Sequence, residues 1–361
     1  MAKRSDGSGV KHSTIYDVAK EAQVSPATVS HVLNGTAPIS IPTQKRVFKA
    51  IRELDYRPNA NARSLRAAKS QILGVIVQDI SSEYYAQCTA GILQSAQQRD
   101  FVVLTTDIRF DPKILRKSVK ALVDRRVDGL LFVGGAKDED SIQLAASAGV
   151  PIVVGDRFLS GYPCAEFDNF QTMHGLTRAL YAAGYRRFGY MGETLDRQQN
   201  LERRFGGFIQ ALDELGVPEA DRTIILNPEL YPSKMKFSYQ IFHQLILETP
   251  REKLPEIVLT SNDMIAQSVI SAALRSGLRV PDDVAVFGFD NISISIYGTP
   301  SISTVVQDPF LLGTTLFDMF LERINSDKCE NVVLPQQIAV RSSAPVPQEL
   351  LTREGLVIHK D

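Results

Sequence analysis

Hydrophobic residues are spaced in two different ways along this chain of 361 residues, and the change falls near residue 70. From Thr14 to Tyr56 apolar residues recur every three or four positions, which predicts short amphipathic helices. From Ile72 onward they come in short unbroken runs, which is typical of strands buried on both faces. The pattern predicts a small all-α head followed by a large α/β body.

The head is predicted to begin with two short helices joined by a tight turn. Thr14 and Asp17 have the spacing of a capping box. Ser25 caps the second helix, Pro26 occupies its first turn, and Gly35 follows its end. The inward face consists of apolar residues at helical spacing: Val18, Ala19, Ala22, Val29, Val32 and Leu33.

A third helix is predicted after Ser40, with Val47, Ile51 and Leu54 closing a three-helix core. The second helix presents small and polar residues outward: Pro26, Ala27, Thr28, Ser30 and His31. Hydroxyls, an imidazole and methyl groups of this size can reach base edges in a DNA major groove. An ordinary helical hairpin with a solvated face has the same pattern, so the geometry by itself leaves both interpretations open.

The body is predicted to contain two successive series of buried strands with helices between them. The strands are expected at 72–77, 101–104, 129–133, 151–154, 188–191, 223–226, 256–259 and 284–287. The helices include 85–99, 112–125, 201–215, 236–247 and 263–276. This alternation predicts two similar parallel-sheet lobes, with a cleft where the carboxyl ends of the strands face each other.

Charge is distributed unevenly between the two parts. Residues 1–70 carry a net charge of +7 and the remainder carries −8. A basic head suits binding to DNA phosphates, whereas an acidic body does not adhere to DNA. A solvated charged surface is the alternative, which the helix-turn-helix pattern in the same region disfavours.

Several other function classes find no support in the sequence. The chain has neither a Gly-x-Ser-x-Gly elbow nor a Gly-rich phosphate loop, and neither His nor Cys has metal-ligand spacing, so we predict no enzyme and no cofactor. The three cysteines, Cys88, Cys164 and Cys329, are expected to be free thiols. Residues 1–12 resemble a disordered tail rather than a signal peptide, and no apolar run reaches the length of a membrane span.

The head motifs resemble the LacI/GalR family of bacterial repressors. The matching residues form a long gapless run that includes Asp17-Val18-Ala19, Thr28-Val29-Ser30, Val32-Leu33-Asn34-Gly35, Tyr56-Arg57-Pro58-Asn59 and Ala62-Arg63-Ser64-Leu65. The second helix resembles the purine-repressor branch, because His31 replaces the arginine of many relatives. The resemblance implies a cytoplasmic, nucleoid-associated repressor that binds a palindromic operator as a homodimer, with a periplasmic-binding-protein-like core.

The resemblance also implies domain boundaries. The helix-turn-helix domain is expected at 13–58, a hinge helix or linker at 59–70, and the effector-binding and dimerisation core at 71–361. Because the chain of such a core crosses between its lobes three times, we expect lobe 1 at about 72–167 and 302–332, and lobe 2 at about 168–301 and 333–347.

Roles in DNA binding follow residue by residue. The resemblance implies that Thr14, Ser25 and Thr28 hold phosphates and that Pro26, Ala27, Ser30 and His31 meet base edges. His31 is expected to carry more of the direct reading, because Pro26 and Ala27 offer no side-chain hydrogen bond. The segment that begins at Asn59 is expected to fold on DNA, where Leu65 would wedge into the minor groove and kink the duplex.

Effector-binding residues are expected at the strand ends that face the cleft. The candidates are Tyr84, Tyr85, Asp156, Arg157, Arg204, Asn262, Asp263 and Asp290. Carboxylates accept paired sugar hydroxyls, arginine grips oxygen, and aromatic rings cover an apolar ring face. Each has a structural alternative, since an aspartate after a strand is often a helix cap, and Arg204 could simply pair with Asp290.

One departure from the family concerns the effector. Between Glu193 and Asn200 the chain places either Arg197 or Gln198, depending on a one-residue gap, where the purine branch has a second arginine. We therefore expect a sugar or sugar derivative rather than a purine. A phosphoprotein or purine corepressor is the alternative for control, and a solute-binding protein is the rival of a different class.

Overall fold

A computed structural model describes residues 13–56, 70–134, 139–194, 198–227, 233–326 and 329–360. The chain divides into two compact units, Met1–Ser70 and Gln71–Asp361. The predicted tail at 1–12 and nearly all of the linker at 59–70 lie outside the described residues, and so do Asn59 and Leu65.

The first unit contains three described helices: α1 (Ile15–Glu21), α2 (Pro26–Asn34) and α3 (Ile41–Glu53). The capping box is present, because Thr14 Oγ1 accepts from Asp17 N at 3.3 Å and Asp17 Oδ2 accepts from Thr14 N at 2.8 Å. Ser25 caps α2 by accepting from Thr28 N at 3.1 Å. Gly35 ends α2 with a φ of +64°, which a glycine adopts without strain.

The three helices enclose a small core of their own. Its buried side chains are Val18, Ala19, Ala22, Val29, Val47 and Ala50. Each fully buried valine contributes about 1.5 kcal/mol or more through removal from water. The helix-turn-helix head predicted from apolar spacing and caps is confirmed.

The second unit contains two sheets of six strands each. The first sheet has the order β11-β5-β4-β3-β1-β2, in which all pairs are parallel. Its strands are β1 (Ile72–Val77), β2 (Val102–Asp107), β3 (Gly129–Val133), β4 (Ile152–Gly155), β5 (Cys164–Phe167) and β11 (Val332–Leu334). We call this sheet and its helices lobe 1.

The second sheet, with its helices, forms lobe 2. Its order is β12-β10-β9-β8-β6-β7, and only the edge pair β10–β12 is antiparallel. Its strands are β6 (Phe188–Gly192), β7 (Arg222–Leu226), β8 (Ile257–Thr260), β9 (Ala285–Asp290), β10 (Ser303–Val306) and β12 (Gln337–Ala339). The prediction of two similar parallel-sheet lobes is confirmed.

Helices cover both faces of these sheets. They are α4 (Glu83–Gln97), α5 (Pro112–Asp124), α6 (Glu139–Ser147), α7 (Asn169–Ala182), α8 (Gln199–Glu214), α9 (Lys234–Glu248), α10 (Asp263–Arg275), α11 (Ser293–Tyr297), α12 (Pro309–Asn325) and α13 (Gln348–Arg353). Short 3₁₀ turns lie at Glu219–Asp221 and Arg251–Lys253. No helix within the described ranges is long and apolar enough to cross a membrane.

Strand pairing moves two of the expected lobe boundaries. Ser303–Val306, expected in lobe 1, pairs with β9 and therefore belongs to lobe 2. Val332–Leu334 pairs with β5 in lobe 1, although the expected crossing was at 332–333. The chain thus crosses to lobe 1 after Val306 and returns after Leu334. These strands are short, and their apolar pattern does not reveal which sheet edge they join.

Burial also differs from the sequence prediction at the sheet edges. The strand that begins at Val102 was predicted to be buried on both faces, but Val102 is 59% exposed. In lobe 2, Ile224 of β7 is 38% exposed. Both strands lie at the end of their sheet, where helices cover them less completely.

Candidate ligand cavity and nucleic-acid interface

A cavity of about 60 Å³ lies between the two lobes. Lobe 1 contributes Asp79, Ser82, Tyr84, Tyr85, Phe110 and Asp156. Lobe 2 contributes Glu193, Gln198, Asn200, Leu201, Arg204, Lys234, Ser261, Asn262, Met264, Asp290 and Ile292. A volume of this size holds a few water molecules, whereas pockets for small-molecule ligands usually measure about 300–1,000 Å³. The two lobes are therefore closed on each other.

Parallel-strand topology explains why these side chains converge. Asp79 follows β1 and Asp156 follows β4, at the carboxyl edge of the first sheet. Glu193 follows β6, Asn262 follows β8 and Asp290 ends β9, at the carboxyl edge of the second sheet. Ligands of open α/β folds bind in the crevice outside these strand ends.

Asp156 links the two lobes directly. Its Oδ1 accepts a hydrogen bond from the Tyr84 hydroxyl at 3.1 Å, within lobe 1. Its Oδ2 accepts from Asn200 Nδ2 at 2.9 Å, across the cavity. A second bond between the lobes joins Phe158 N to Gln199 Oε1 at 2.8 Å.

Two of the cavity aspartates have an unusual backbone and a perturbed acidity. The φ angles are +62° at Asp156 and +103° at Asp290, a region that non-glycine residues occupy at an energetic cost and often at binding sites. Burial raises the pKa of Asp156 to about 7 and that of Asp290 to about 6, although Arg204 opposes both shifts. Near neutral pH, Asp156 is therefore present both as a protonated carboxyl group, which can donate a hydrogen bond, and as a carboxylate, which can only accept one.

Arg204 is buried and all three of its nitrogens are engaged. Nε donates to Asn169 Oδ1 at 2.9 Å and Nη1 donates to the Ser261 carbonyl at 2.6 Å. Nη2 lies 3.4 Å from Asp290 Oδ1, and the guanidinium packs over the Phe289 ring at 3.7 Å. The pairing with Asp290 that the sequence left as an alternative is present, and both side chains also line the cavity.

Glu193 and Lys234 form an ion pair in the cavity wall, with 2.8 Å between Oε1 and Nζ. Glu193 also accepts from the Ser261 hydroxyl and, at 3.3 Å, from Asn262 Nδ2. Burial by itself would raise the pKa of Glu193, but Lys234 and the Ser261 hydroxyl hold it below its ordinary value. Glu193 is therefore a carboxylate at neutral pH.

The two predicted tyrosines both line the cavity. Tyr84 and Tyr85 pack edge to face, with ring centroids 5.3 Å apart. Burial raises the pKa of both phenols well above the ordinary value, so both remain neutral. Tyr84 uses its hydroxyl on Asp156.

Two predicted effector residues do not line the cavity. Asp263 is fully buried, and its carboxylate accepts from the Thr304 hydroxyl at 2.7 Å and from Ile292 N at 2.9 Å. It therefore joins three segments of the protein interior instead of facing a ligand. Arg157 is 5% exposed and is buried beside Asp156 outside the cavity lining.

The structure adds cavity residues that the sequence did not assign as ligand contacts, chiefly Glu193, Lys234 and Asn200. Arg197 and Gln198 are the two residues that can occupy the position of the second arginine of the purine branch. Gln198 lines the cavity, and Arg197 lies outside the described residues. Lys234 begins α9 far from any recognised motif. The only sequence signal for it was a charged residue at the start of an amphipathic helix, which is common on protein surfaces.

The outer face of α2 is accessible in the head. Ser25, Ala27 and His31 are exposed, whereas Pro26, Thr28 and Ser30 are half-buried. His31 Nδ1 lies 2.8 Å from the Thr36 hydroxyl, which orients the ring. Thr14 is also exposed, at the start of α1. The sequence did not single out Tyr16, which is 69% exposed on α1.

Neither a metal cluster nor a disulfide is found within the described residues. No group of three or more His, Cys, Asp or Glu side chains there is arranged to hold a metal ion. Cys88 and Cys164 are buried free thiols, and Cys329 is half-buried.

Family models match both units of the chain. Residues 14–59 match the model described as bacterial regulatory proteins, lacI family, and residues 177–344 match a periplasmic binding protein-like domain. Among curated proteins, the catabolite control protein A of Priestia megaterium is 30% identical over 335 residues, covering 91% of this chain and 98% of that protein. The transcriptional repressor PurR of Pasteurella multocida is 29% identical over 339 residues, covering 92% and 98%.

Solved structures agree with these relatives. A lac repressor dimer bound to operator and the anti-inducer ONPF superposes with a TM-score of 0.80 and 26% identity. The superposition covers 93% of this chain and all of that one. The similarity therefore spans the head and both lobes.

Proposed function

The chain belongs to the LacI family of bacterial regulatory proteins, and on that premise we propose that it binds a palindromic operator as a homodimer under the control of a sugar-like ligand. It is a DNA-binding transcriptional regulator and not an enzyme. We place its action in the cytoplasm, at the nucleoid.

The operator proposal is supported by the head. The exposed Ser25, Ala27 and His31 of α2 have the chemistry of base and phosphate contacts, and the net charge of +7 over residues 1–70 favours a polyanion. A palindrome follows from two-fold pairing of two such heads. The lac repressor structure that this chain resembles is a dimer on its operator.

Exposed apolar residues of the body support the homodimer. Tyr297 is 82% exposed and Ile296, its neighbour on α11, is 42% exposed. Side chains of this size are enriched where a protein surface meets a partner. Pairing through the body would set the distance between the two heads.

The ligand proposal rests on one observation: the cavity is lined by polar groups from both lobes, which already bond to each other through Asp156 and Asn200. Neighbouring hydroxyls of a ligand can form hydrogen bonds with Asp156, Asp290 and Asn262. Tyr85 or Phe110 can cover an apolar ring face. This combination of groups suits a polyhydroxylated ring.

Control follows from how the lobes move. A ligand larger than the present cavity has to separate Asp156 from Asn200, so it changes the closure of the lobes. In a dimer, this movement alters the spacing of the two heads, which precede β1 of lobe 1. Ligand affinity and operator affinity must then change by the same factor.

The test uses the full chain in two steps. Repeated selection from random duplex DNA should enrich a palindrome with two half-sites, and fluorescence anisotropy on that site should change when a sugar from a panel is added. Thermal denaturation should show stabilisation by the same sugar, about 2.7 kcal/mol at 100 times its Kd. Enrichment of no sequence would refute the operator proposal. A response confined to purines or to a phosphorylated protein would refute the sugar proposal.

A further inference from the structure

Both cations of the described cavity lining, Lys234 and Arg204, are paired with carboxylates, and this restricts the charge of a ligand. Lys234 Nζ contacts Glu193 Oε1 at 2.8 Å, with side chains only 23% and 14% exposed. Ser261 donates to the second oxygen of the same carboxylate, and Asn262 donates to Oε1 as well. The ammonium is therefore paired with a fixed carboxylate.

Arg204, the other cation of the described lining, is also paired with a carboxylate. Its Nη2 lies 3.4 Å from Asp290 Oδ1, and Nε and Nη1 donate to Asn169 and to the Ser261 carbonyl. Arginine binds a phosphate or carboxylate most strongly through two parallel N–H groups aimed at the ligand. Here Asp290 already balances the charge of the guanidinium.

Acidic groups outnumber these two cations in the described lining, which contains Asp79, Asp156, Glu193 and Asp290. The balance stays acidic when Asp156, whose pKa burial raises to about 7, carries a proton.

A phosphate ester would bring its negative charge against this wall. At an effective dielectric of about 20, repulsion between two like charges about 6 Å apart weakens binding about a hundredfold. A hydroxyl meets no such cost, because it can donate to a carboxylate and accept from Lys234. A protonated Asp156 can donate to a ligand oxygen as well.

We propose that the cavity selects the unphosphorylated form of its polyhydroxylated ligand and that Glu193, by neutralising Lys234, excludes phosphate esters. The inference rests on the proposed function for the existence of a sugar-like ligand. It goes further in naming the charge class of that ligand and the residue that sets it.

The test measures thermal denaturation of the full chain at constant ionic strength. The additives are orthophosphate alone and matched pairs of a sugar and its monophosphate, such as glucose with glucose 6-phosphate and fructose with fructose 1-phosphate. Orthophosphate at millimolar concentration, too dilute to stabilise proteins as a kosmotropic salt, should leave the wild-type Tm unchanged. In any pair that raises the Tm, the free sugar should raise it more than its monophosphate does.

The decisive variant is Glu193→Gln, which keeps the shape of the side chain and frees Lys234. It should bind orthophosphate about tenfold or more tightly than the wild type does, because one close negative charge has been removed. Glu354→Gln is the matched control. Glu354 pairs with Arg178 at 2.8 Å outside this cavity, and Arg178 keeps a second carboxylate, Glu214, at 3.6 Å, so this variant should gain no phosphate binding.

The outcomes separate this inference from the proposed function. Wild-type stabilisation by orthophosphate, or by a monophosphate more than by its sugar, would overturn the inference. So would a folded Glu193→Gln protein that gains no phosphate binding. If that variant fails to fold, the wild-type comparisons still decide. Failure of every sugar to bind would count against the proposed function, while the orthophosphate result would still test the exclusion of phosphate.

Discussion

Asn200 of lobe 2 donates a hydrogen bond to Asp156 of lobe 1, with 2.9 Å between Nδ2 and Oδ2. Asp156 therefore holds the lobes together and is also a candidate contact for the ligand. A ligand group that takes the place of Asn200 on Oδ2 would break this bond, so ligand binding and lobe closure would compete for one oxygen. This competition gives the cavity a direct mechanical connection to the arrangement of the lobes.

The acidity of Asp156 makes the stability of the body depend on pH. Burial raises its pKa to about 7 from an ordinary value near 4, so the folded, closed form binds a proton that the unfolded chain releases. The stabilisation is complete below the unfolded pKa and disappears as pH rises through about 7. We expect Tm to fall between about pH 4 and 7 and to level off above that range.

The variant Asp156→Asn should flatten this decline, because an amide does not titrate. Part of the slope should persist, since the pKa of Asp290 is also raised by burial, to about 6. Calorimetry across the pH range measures both effects. The exposed Asp318→Asn on α12 is the control and should keep the wild-type slope. A wild-type Tm that rises over this range would contradict the assignment.

Two adjacent glycines of α8 should respond in opposite ways to alanine. A Cβ on Gly207 would collide with the carbonyl oxygen of Phe170 and lie 3.0 Å from His174 N, so Gly207→Ala must force α7 and α8 apart. We expect a loss of about 1–3 kcal/mol. Gly206 has only the Phe170 ring nearby, at 3.6 Å, so Gly206→Ala should be neutral or should stabilise by up to about 1 kcal/mol.

Urea denaturation of the two variants measures the contrast, with Gly206→Ala serving as the control for the loss of a glycine in the same turn. Equal stabilities would show that the two helices can separate without cost, contrary to the packing described.

Arg204 and Asp290 should be energetically coupled. Replacement of Arg204 by methionine leaves Asp290 buried without its cation and removes the partners of Asn169 and the Ser261 carbonyl. We expect a cost of about 3–5 kcal/mol. Asp290→Asn should cost less, because Gln307 Nε2, now 2.8 Å from Asp290 Oδ1, can donate to the amide oxygen instead.

A double-mutant cycle in urea should give a coupling of about 0.5–3 kcal/mol. Additive losses would mean that the 3.4 Å contact between the two side chains contributes nothing to stability. Circular dichroism of each variant checks that the fold persists.

His31 should affect sequence discrimination more than overall affinity for DNA. His31→Ala removes the exposed imidazole on α2, and we expect about a tenfold loss on the selected operator, equivalent to 1.4 kcal/mol, with little change on random DNA. Thr36→Val should have a smaller effect of the same kind, because the Thr36 hydroxyl orients Nδ1.

Anisotropy titrations at fixed salt concentration measure both affinities. Lys45→Gln, an exposed cation on α3, is the comparison for a purely electrostatic loss, which falls equally on operator and random DNA. If His31→Ala lowered the affinity for operator and for random DNA equally, the imidazole would not contribute to recognition of bases.

Local pattern was enough to predict the head and part of the body. The caps at Thr14 and Ser25, the glycine after α2 and the apolar spacing predicted the head, because each signal acts within a few residues of the structure that it specifies. Eight of the twelve described strands were predicted for the same reason, whereas β5, β10, β11 and β12, of three or four residues each, were not. The motif run in the head was long enough to indicate the family, and with it the region of the cavity.

Tertiary structure decided which of those elements and side chains meet. Ser303–Val306 joins lobe 2 because its backbone pairs with β9. Asp263 does not line the cavity, because its carboxyl group accepts hydrogen bonds from Thr304 and Ile292 in the protein interior. Lys234 reaches Glu193 although they are far apart in the chain. Such partners are fixed only when strands and helices from distant segments pack together, so the charge state of the cavity is a property of the fold and not of any local stretch of sequence.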